Sequence, residues 1–185
     1  MKPQRIAAIG VSVVAFIVYL LTLAPNVVFI DSGELATVAA TLGIAHPTGY
    51  PLFSLVGYLF THLPIGGPAI YKANLMAGFF CAVGAGITTL LLYYILTEFI
   101  PRKEKSKPKA KVQKGKQPQT APVVEATQDN GKNILPLIAS VAGGLMLAFS
   151  LTYWNQATAV EVYSLHCFLV PLALFFFLHY CKEAP

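Results

Sequence analysis

Charge is what this sequence has least of. Only 11% of its 185 residues are Asp, Glu, Lys or Arg, where a soluble domain carries about 25%, and that scarcity excludes water as the main solvent. Four windows, residues 6–30, 73–97, 134–160 and 162–181, hold no charged side chain at all. Cysteine is also sparse. Cys81, Cys167 and Cys181 all fall inside apolar windows, which gives no disulfide or metal framework and reads as three small core hydrophobes. The four histidines, His46, His62, His166 and His179, are scattered rather than set at zinc-ligand spacing, so no metal site is indicated. A serine protease signature of the G-x-S-x-G kind does not appear either.

What is present is apolar length. Some 20 apolar residues are enough to cross the hydrocarbon core as a helix, and 56% of this chain is hydrophobic. The expected fold class is an all-α polytopic membrane protein with four transmembrane helices, at about 6–24, 70–100, 134–153 and 165–180. The N-terminal MKPQR and its apolar run resemble a signal peptide, but residues 6–24 exceed the usual apolar core of ~7–15 residues and no A-x-A site follows. They read as an uncleaved first span. Residues 50–63 are too short to span and read as interfacial or re-entrant. Three regions follow: 1–100 with two spans, 101–133 as a linker, and 134–185 with the last two spans.

The linker is the one strongly charged stretch. Residues 101–133 hold nine of the thirteen Lys and Arg, with three acids and repeated Pro, Gln and Lys. So little apolar surface cannot offset the entropy of ordering, and a flexible solvated loop is expected, not a nucleic-acid binder. Lys and Arg accumulate on the cytoplasmic side of short membrane loops. With the N-terminus and residues 101–133 cytoplasmic, four crossings leave only Lys72 of the thirteen basic residues outside. Asp31, Glu34, His46 and Lys72 then gather at the outer face with the turn YWNQATAVEVYSLH, which carries Gln156, Glu161, Tyr163 and His166. Ionisable groups beside a membrane core are costly, and their default reading is functional.

Local structure offers competing roles. In D-S-G-E, Asp31 and Glu34 have the spacing of a capping box opening a helix over 34–45; an aspartate so held is equally well placed for chemistry. That helix puts Leu35, Val38, Ala39 and Leu42 on one face and Thr37 and Thr41 on another, as an amphipathic interfacial element. In HPTGYP, Pro47 restricts His46, Gly49 permits a turn and Pro51 can open the next helix. His46 and Tyr50 are either site residues or interface anchors. Lys72, two positions before Asn74, either snorkels to the headgroups or binds a phosphate as a point charge. Trp154 and Tyr163 fit the aromatic belt, whereas Glu161 has no belt function. A transporter would place such groups near the midplane; here they sit at helix ends, which favours a carboxylate-based transferase at the outer leaflet.

The stretch DSGELATVAATLGIAHPTGYPLF, followed by YKANLMAG and YWNQATAVEVYSLH, closely resembles the bacterial membrane-protein family related to the eukaryotic transmembrane protein O-mannosyltransferases, of the GT-C superfamily. Lys72 stands where that family more often has arginine, and His166 where asparagine is common. The resemblance implies inverting transfer of a sugar, mannose in particular, from a polyprenyl phosphate to a Ser or Thr hydroxyl of a protein. It implies catalytic carboxylates at Asp31 and Glu34, and substrate or donor contacts from His46, Tyr50, Lys72, Asn74, Gln156, Glu161, Tyr163 and His166. No cofactor is expected, since the lipid-linked sugar is itself the donor. A bacterial cytoplasmic membrane is the expected location. GT-C folds have more than four spans, so the chain is expected to be a partial GT-C fold, the N-terminal part of a longer enzyme. The alternative is a non-catalytic membrane fragment or assembly subunit that keeps the motifs as scaffold.

Overall fold

The structure, a computed structural model, describes residues 1–28, 31–47, 49–99 and 131–183, without the side chains of 131–133 and 183. The linker expected over 101–133 therefore lies almost wholly outside the described residues. Among those residues there are seven helices and no strand: α1 Pro3–Thr22, α2 Ser32–Thr41, α3 Pro51–Thr61, α4 Ala69–Glu98, α5 Gly131–Ala148, α6 Leu151–Thr158 and α7 Tyr163–Glu183. The all-α polytopic class expected from the apolar windows is the class observed. Three helices, α1, α4 and α7, are long and apolar enough to cross a membrane. The pair α5 and α6, bent by 63° at a short break, makes a fourth only if the two count as one span.

That break is the main departure from a plain four-helix reading. The expected third span stops at Ala148, and residues 151–158 form a separate helix instead of a loop. Ending a helix inside a bilayer frees backbone carbonyls that no water can satisfy. Tyr19, fully buried on α1, donates its hydroxyl to the Ala148 carbonyl at 2.7 Å. The phenol thus stabilises the bend.

The centre of the bundle is α4, which packs against every other helix. Its span is 56% buried, against 11% for α7, so α7 turns most of its apolar surface outward, as lipid-facing helices do. Small residues let neighbours approach α4 closely, the usual packing of membrane helices. A side chain at Gly84 would collide with the Cys167 carbonyl of α7, and one at Gly86 with Ser12 of α1. Cys81 is wholly buried in this packing, Cys167 half-buried and Cys181 exposed on the outer surface of α7.

Thirty residues of α4 span about 45 Å at 1.5 Å per residue, longer than the ~30 Å hydrocarbon core. Its ends therefore reach the interfaces. At one end Lys182 pairs with Glu98 at 2.5 Å. At the other, α2, α3 and the 159–162 connection gather round its first turns, and there the polar residues collect.

Candidate functional site

Residue Asn74 organises this end. It is completely buried on α4, and a buried amide costs stability unless its donors and acceptor are used. Its Nδ2 donates to the Ala24 carbonyl at 2.7 Å, and its Oδ1 accepts the Val160 N–H at 2.8 Å. Ala24 N–H also donates to the Thr158 carbonyl at 2.9 Å. One side chain thereby ties the chain leaving α1 to the chain leaving α6. Immediately beyond that knot stands Glu161, whose carbonyl accepts from both Oγ and N–H of the buried Ser164.

The other wall is α2 and the turn after it. Asp31 precedes the helix with its carbonyl accepting the Leu35 N–H at 2.9 Å, but its backbone is already helical and its side chain makes no cap hydrogen bond. The capping box does not form. Glu34 faces elsewhere because α2 is shorter than the expected 34–45. It ends at Thr41, where Leu42 adopts a left-handed conformation (φ 53°), and the Gly43 N–H bonds back to the Val38 carbonyl at 3.1 Å, the 6→1 bond of a Schellman turn. Leu35, Val38 and Ala39 are buried as the amphipathic pattern anticipates, while Leu42 is exposed.

The reversal brings the chain back over the first turn of α2. His46 donates its backbone N–H to Glu34 Oε1 at 2.7 Å, and its Nδ1 lies 3.2 Å from Glu34 Oε2. These two contacts hold the Glu34 carboxyl below the usual carboxylate range. Gly49, at φ 84°, donates to the His46 carbonyl at 2.8 Å, Tyr50 packs its ring edge-on to the imidazole at 5.5 Å, and Pro51 opens α3. The stiffness of HPTGYP thus serves to present His46.

Glu161 completes the arrangement from the opposite wall. Burial first, then the charge of Asp31, push its carboxyl above the usual range, while His46 and the Val162 N–H pull it down. Asp31 and His46 therefore lie close enough to Glu161 for their charges to act on it. Glu34, His46 and Tyr50 are in direct contact, and Asp31 and Glu161 stand at the same end of the bundle, within range of charge interaction with each other. The remaining residues are placed otherwise. Lys72 donates to the Leu63 carbonyl at 2.9 Å, bracing the connection between α3 and α4. Gln156 buries its Oε1 with no partner. Tyr163 is exposed, and His166 turns its Nδ1 to the Val162 carbonyl at 3.1 Å. Among the described residues no group of three metal-ligating side chains converges.

Chemically, the cluster offers carboxylates of two kinds within one rim. One is held ionised against an imidazole, and another is biased towards its protonated form, which is how neighbouring acids acquire separate tasks. The pairing of Glu34 with His46 was hidden in the sequence behind the capping-box spacing. The reversal is made by Leu42 in its left-handed conformation, which no residue type in the stretch announces.

Comparison with known proteins places this site in context. The family model described as "Protein O-mannosyl-transferase TMEM260 N-terminal domain" matches residues 31–185, beginning at Asp31 itself. The "Protein O-mannosyl-transferase TMEM260" of Mus musculus is 33% identical over 181 residues, covering 93% of this chain and 20% of the relative. The "Protein O-mannosyl-transferase tmem260" of Dictyostelium discoideum is 51% identical over 47 residues, covering 25% of this chain and 6% of the relative. This chain thus spans about a fifth of the length of the mouse relative. No solved structure matches it.

Proposed function

The chain belongs to the family of the protein O-mannosyl-transferase TMEM260 N-terminal domain, and from that premise we propose that it carries the acceptor-activating site of a membrane protein O-mannosyltransferase. The observation that carries this reading is the convergence of Asp31, Glu34, His46 and Glu161 at one end of the bundle, on the segments where the family match falls.

In this reading a Ser or Thr hydroxyl of a protein enters the rim, and Asp31 accepts its proton as the oxygen attacks the anomeric carbon of mannose. Asp31 is suited to this because its side chain makes no cap hydrogen bond, and a carboxylate within hydrogen-bond reach can serve as general base. The bond that breaks joins the sugar to a polyprenyl phosphate, whose lipid tail lies along the helices. Negative charge grows on that phosphate, and Lys72, whose flexible side chain can leave the Leu63 carbonyl, supplies a cation for it. The basic residues of 101–133 keep that loop in the cytoplasm, so the rim opens on the opposite face. Nucleotide sugars are scarce there and a lipid-linked donor can be reached through the membrane.

The test is donor choice. The full-length protein in lipid nanodiscs is given a Ser/Thr-containing peptide with either polyprenyl-phosphate mannose or a nucleotide-linked mannose. Mannosylated peptide should form with the lipid-linked donor alone. Turnover of the nucleotide sugar with none of the lipid-linked one would overturn the reading.

A further inference from the structure

Glu34 binds His46 twice, and the second contact decides which ring nitrogen carries the proton. An ionised carboxylate only accepts hydrogen bonds, and the two contacts keep Glu34 ionised. The ring atom 3.2 Å from Oε2 is Nδ1, so Nδ1 holds the hydrogen. In a neutral imidazole the other nitrogen is then an acceptor. No group among the described residues lies within hydrogen-bond distance of His46 Nε2, and the side chain is 40% exposed. Glu34 grips the backbone as well, at 2.7 Å. Tyr50 packs against the ring, so the imidazole is held in place as well as in tautomer. Glu161, whose charge interacts with His46, accepts hydrogen bonds when ionised and then makes none to Nε2.

We propose that Glu34 is a positioning residue which fixes the Nδ1–H tautomer of His46, so that Nε2 accepts a hydrogen bond from a hydroxyl group of the substrate. This rests on the mannosyl-transfer reading for the identity of that substrate and deepens it. The hydroxyl belongs either to the sugar or to the Ser/Thr acceptor, and both present the same O–H donor. No proton is transferred to His46. Its part is to orient a hydroxyl while Asp31 takes the proton that is lost. A carboxylate holding an imidazole in the required tautomer is an established use of such a pair.

The experiment needs no turnover. The protein is labelled with ¹⁵N-histidine in nanodiscs, and His46 is assigned by comparison with His46→Gln. The ¹⁵N shifts, recorded where the ring is neutral, report which nitrogen is protonated. The wild type should show the Nδ1–H form. Saturating methyl mannoside or a Ser/Thr peptide should move the Nε2 resonance upfield, and the probe that does so identifies the source of the hydroxyl. In Glu34→Gln the side-chain amide can donate to Nδ1, so the ring should shift towards the Nε2–H form and lose its response to that probe. A merely structural tie between α2 and the turn predicts no probe response in the wild type. An Nε2–H form in the wild type, or an Nε2 resonance indifferent to both probes, would overturn the proposal. Absence of mannosyl transfer together with a responsive Nε2 would instead refute the reaction and leave the hydroxyl site standing.

Discussion

Glu34 and Glu161 stand at the same end of the bundle, yet their surroundings move them in opposite directions. Glu34 is lowered by the hydrogen bonds from His46, and Glu161 is raised by burial and by Asp31. The consequences for stability are therefore opposite in sign. A carboxyl raised on folding gives stability that is full at pH below its unfolded value and lost as pH rises through its folded one. A lowered carboxyl gives stability that is present above its unfolded value and lost as pH falls through its folded one. Glutamine in place of Glu161 mimics the protonated form at every pH. Glu161→Gln should thus raise the unfolding temperature above the ordinary carboxylate range and leave it nearly unchanged at about pH 4. Thermal unfolding in detergent, scanned from about pH 4 to 8, checks this. An equal shift at both ends of the scan would show that Glu161 is not held against its charge. Neither direction was legible from the sequence, because both depend on partners at least twelve residues away that fold into reach.

At the scale of elements, most helices were legible and their ends were not. Uncharged windows located α1, α4 and α7, since crossing a membrane demands apolar length and little else. Pro51 located the start of α3, because proline suits the first helical position. The expected helix 34–45 ran past its true end at Thr41 because Leu42, Gly43, Ile44 and Ala45 continue the apolar pattern. The left-handed Leu42 broke the helix, and periodicity does not report backbone handedness. That residue is a testable hinge. A β-branched side chain is strongly disfavoured at positive φ, so Leu42→Val should cost roughly 1–2 kcal/mol as local backbone strain. It should also loosen the contact between Glu34 and His46, whereas Leu42→Gly should keep both. Unfolding temperatures of the two variants compare them directly. Equal stability would show that the turn tolerates another conformation. The bend between α5 and α6 was likewise hidden, because Phe149 and Ser150 sit within an uncharged window. The phenol that satisfies the freed carbonyl comes from Tyr19, more than a hundred residues earlier.

The whole molecule is a bundle with two unlike ends. One carries the Lys182–Glu98 pair and adjoins the charged linker; the other carries the carboxylates, His46 and the Asn74 knot. The segments α2, α3 and the 159–162 connection lie together at that second end, around the first turns of α4. The sequence also brought forward Asp31, Glu34, His46 and Glu161, since charged groups are conspicuous against so apolar a background. It could not show that Asn74 is consumed in joining backbone segments, or that Glu34 serves His46 instead of a cap. The proposed transfer depends most on Asp31 acting on substrate. Asparagine matches aspartate in size and lacks the basic carboxylate, and no cap hydrogen bond is at stake. General-base catalysis contributes roughly 10²–10⁴-fold in rate. The decisive measurement is therefore mannosyl transfer from polyprenyl-phosphate mannose to a Ser/Thr peptide by full-length Asp31→Asn in nanodiscs, beside wild type at equal membrane insertion. A loss of roughly 10²-fold or more with unchanged unfolding temperature is the predicted result, and transfer at the wild-type rate would contradict the account.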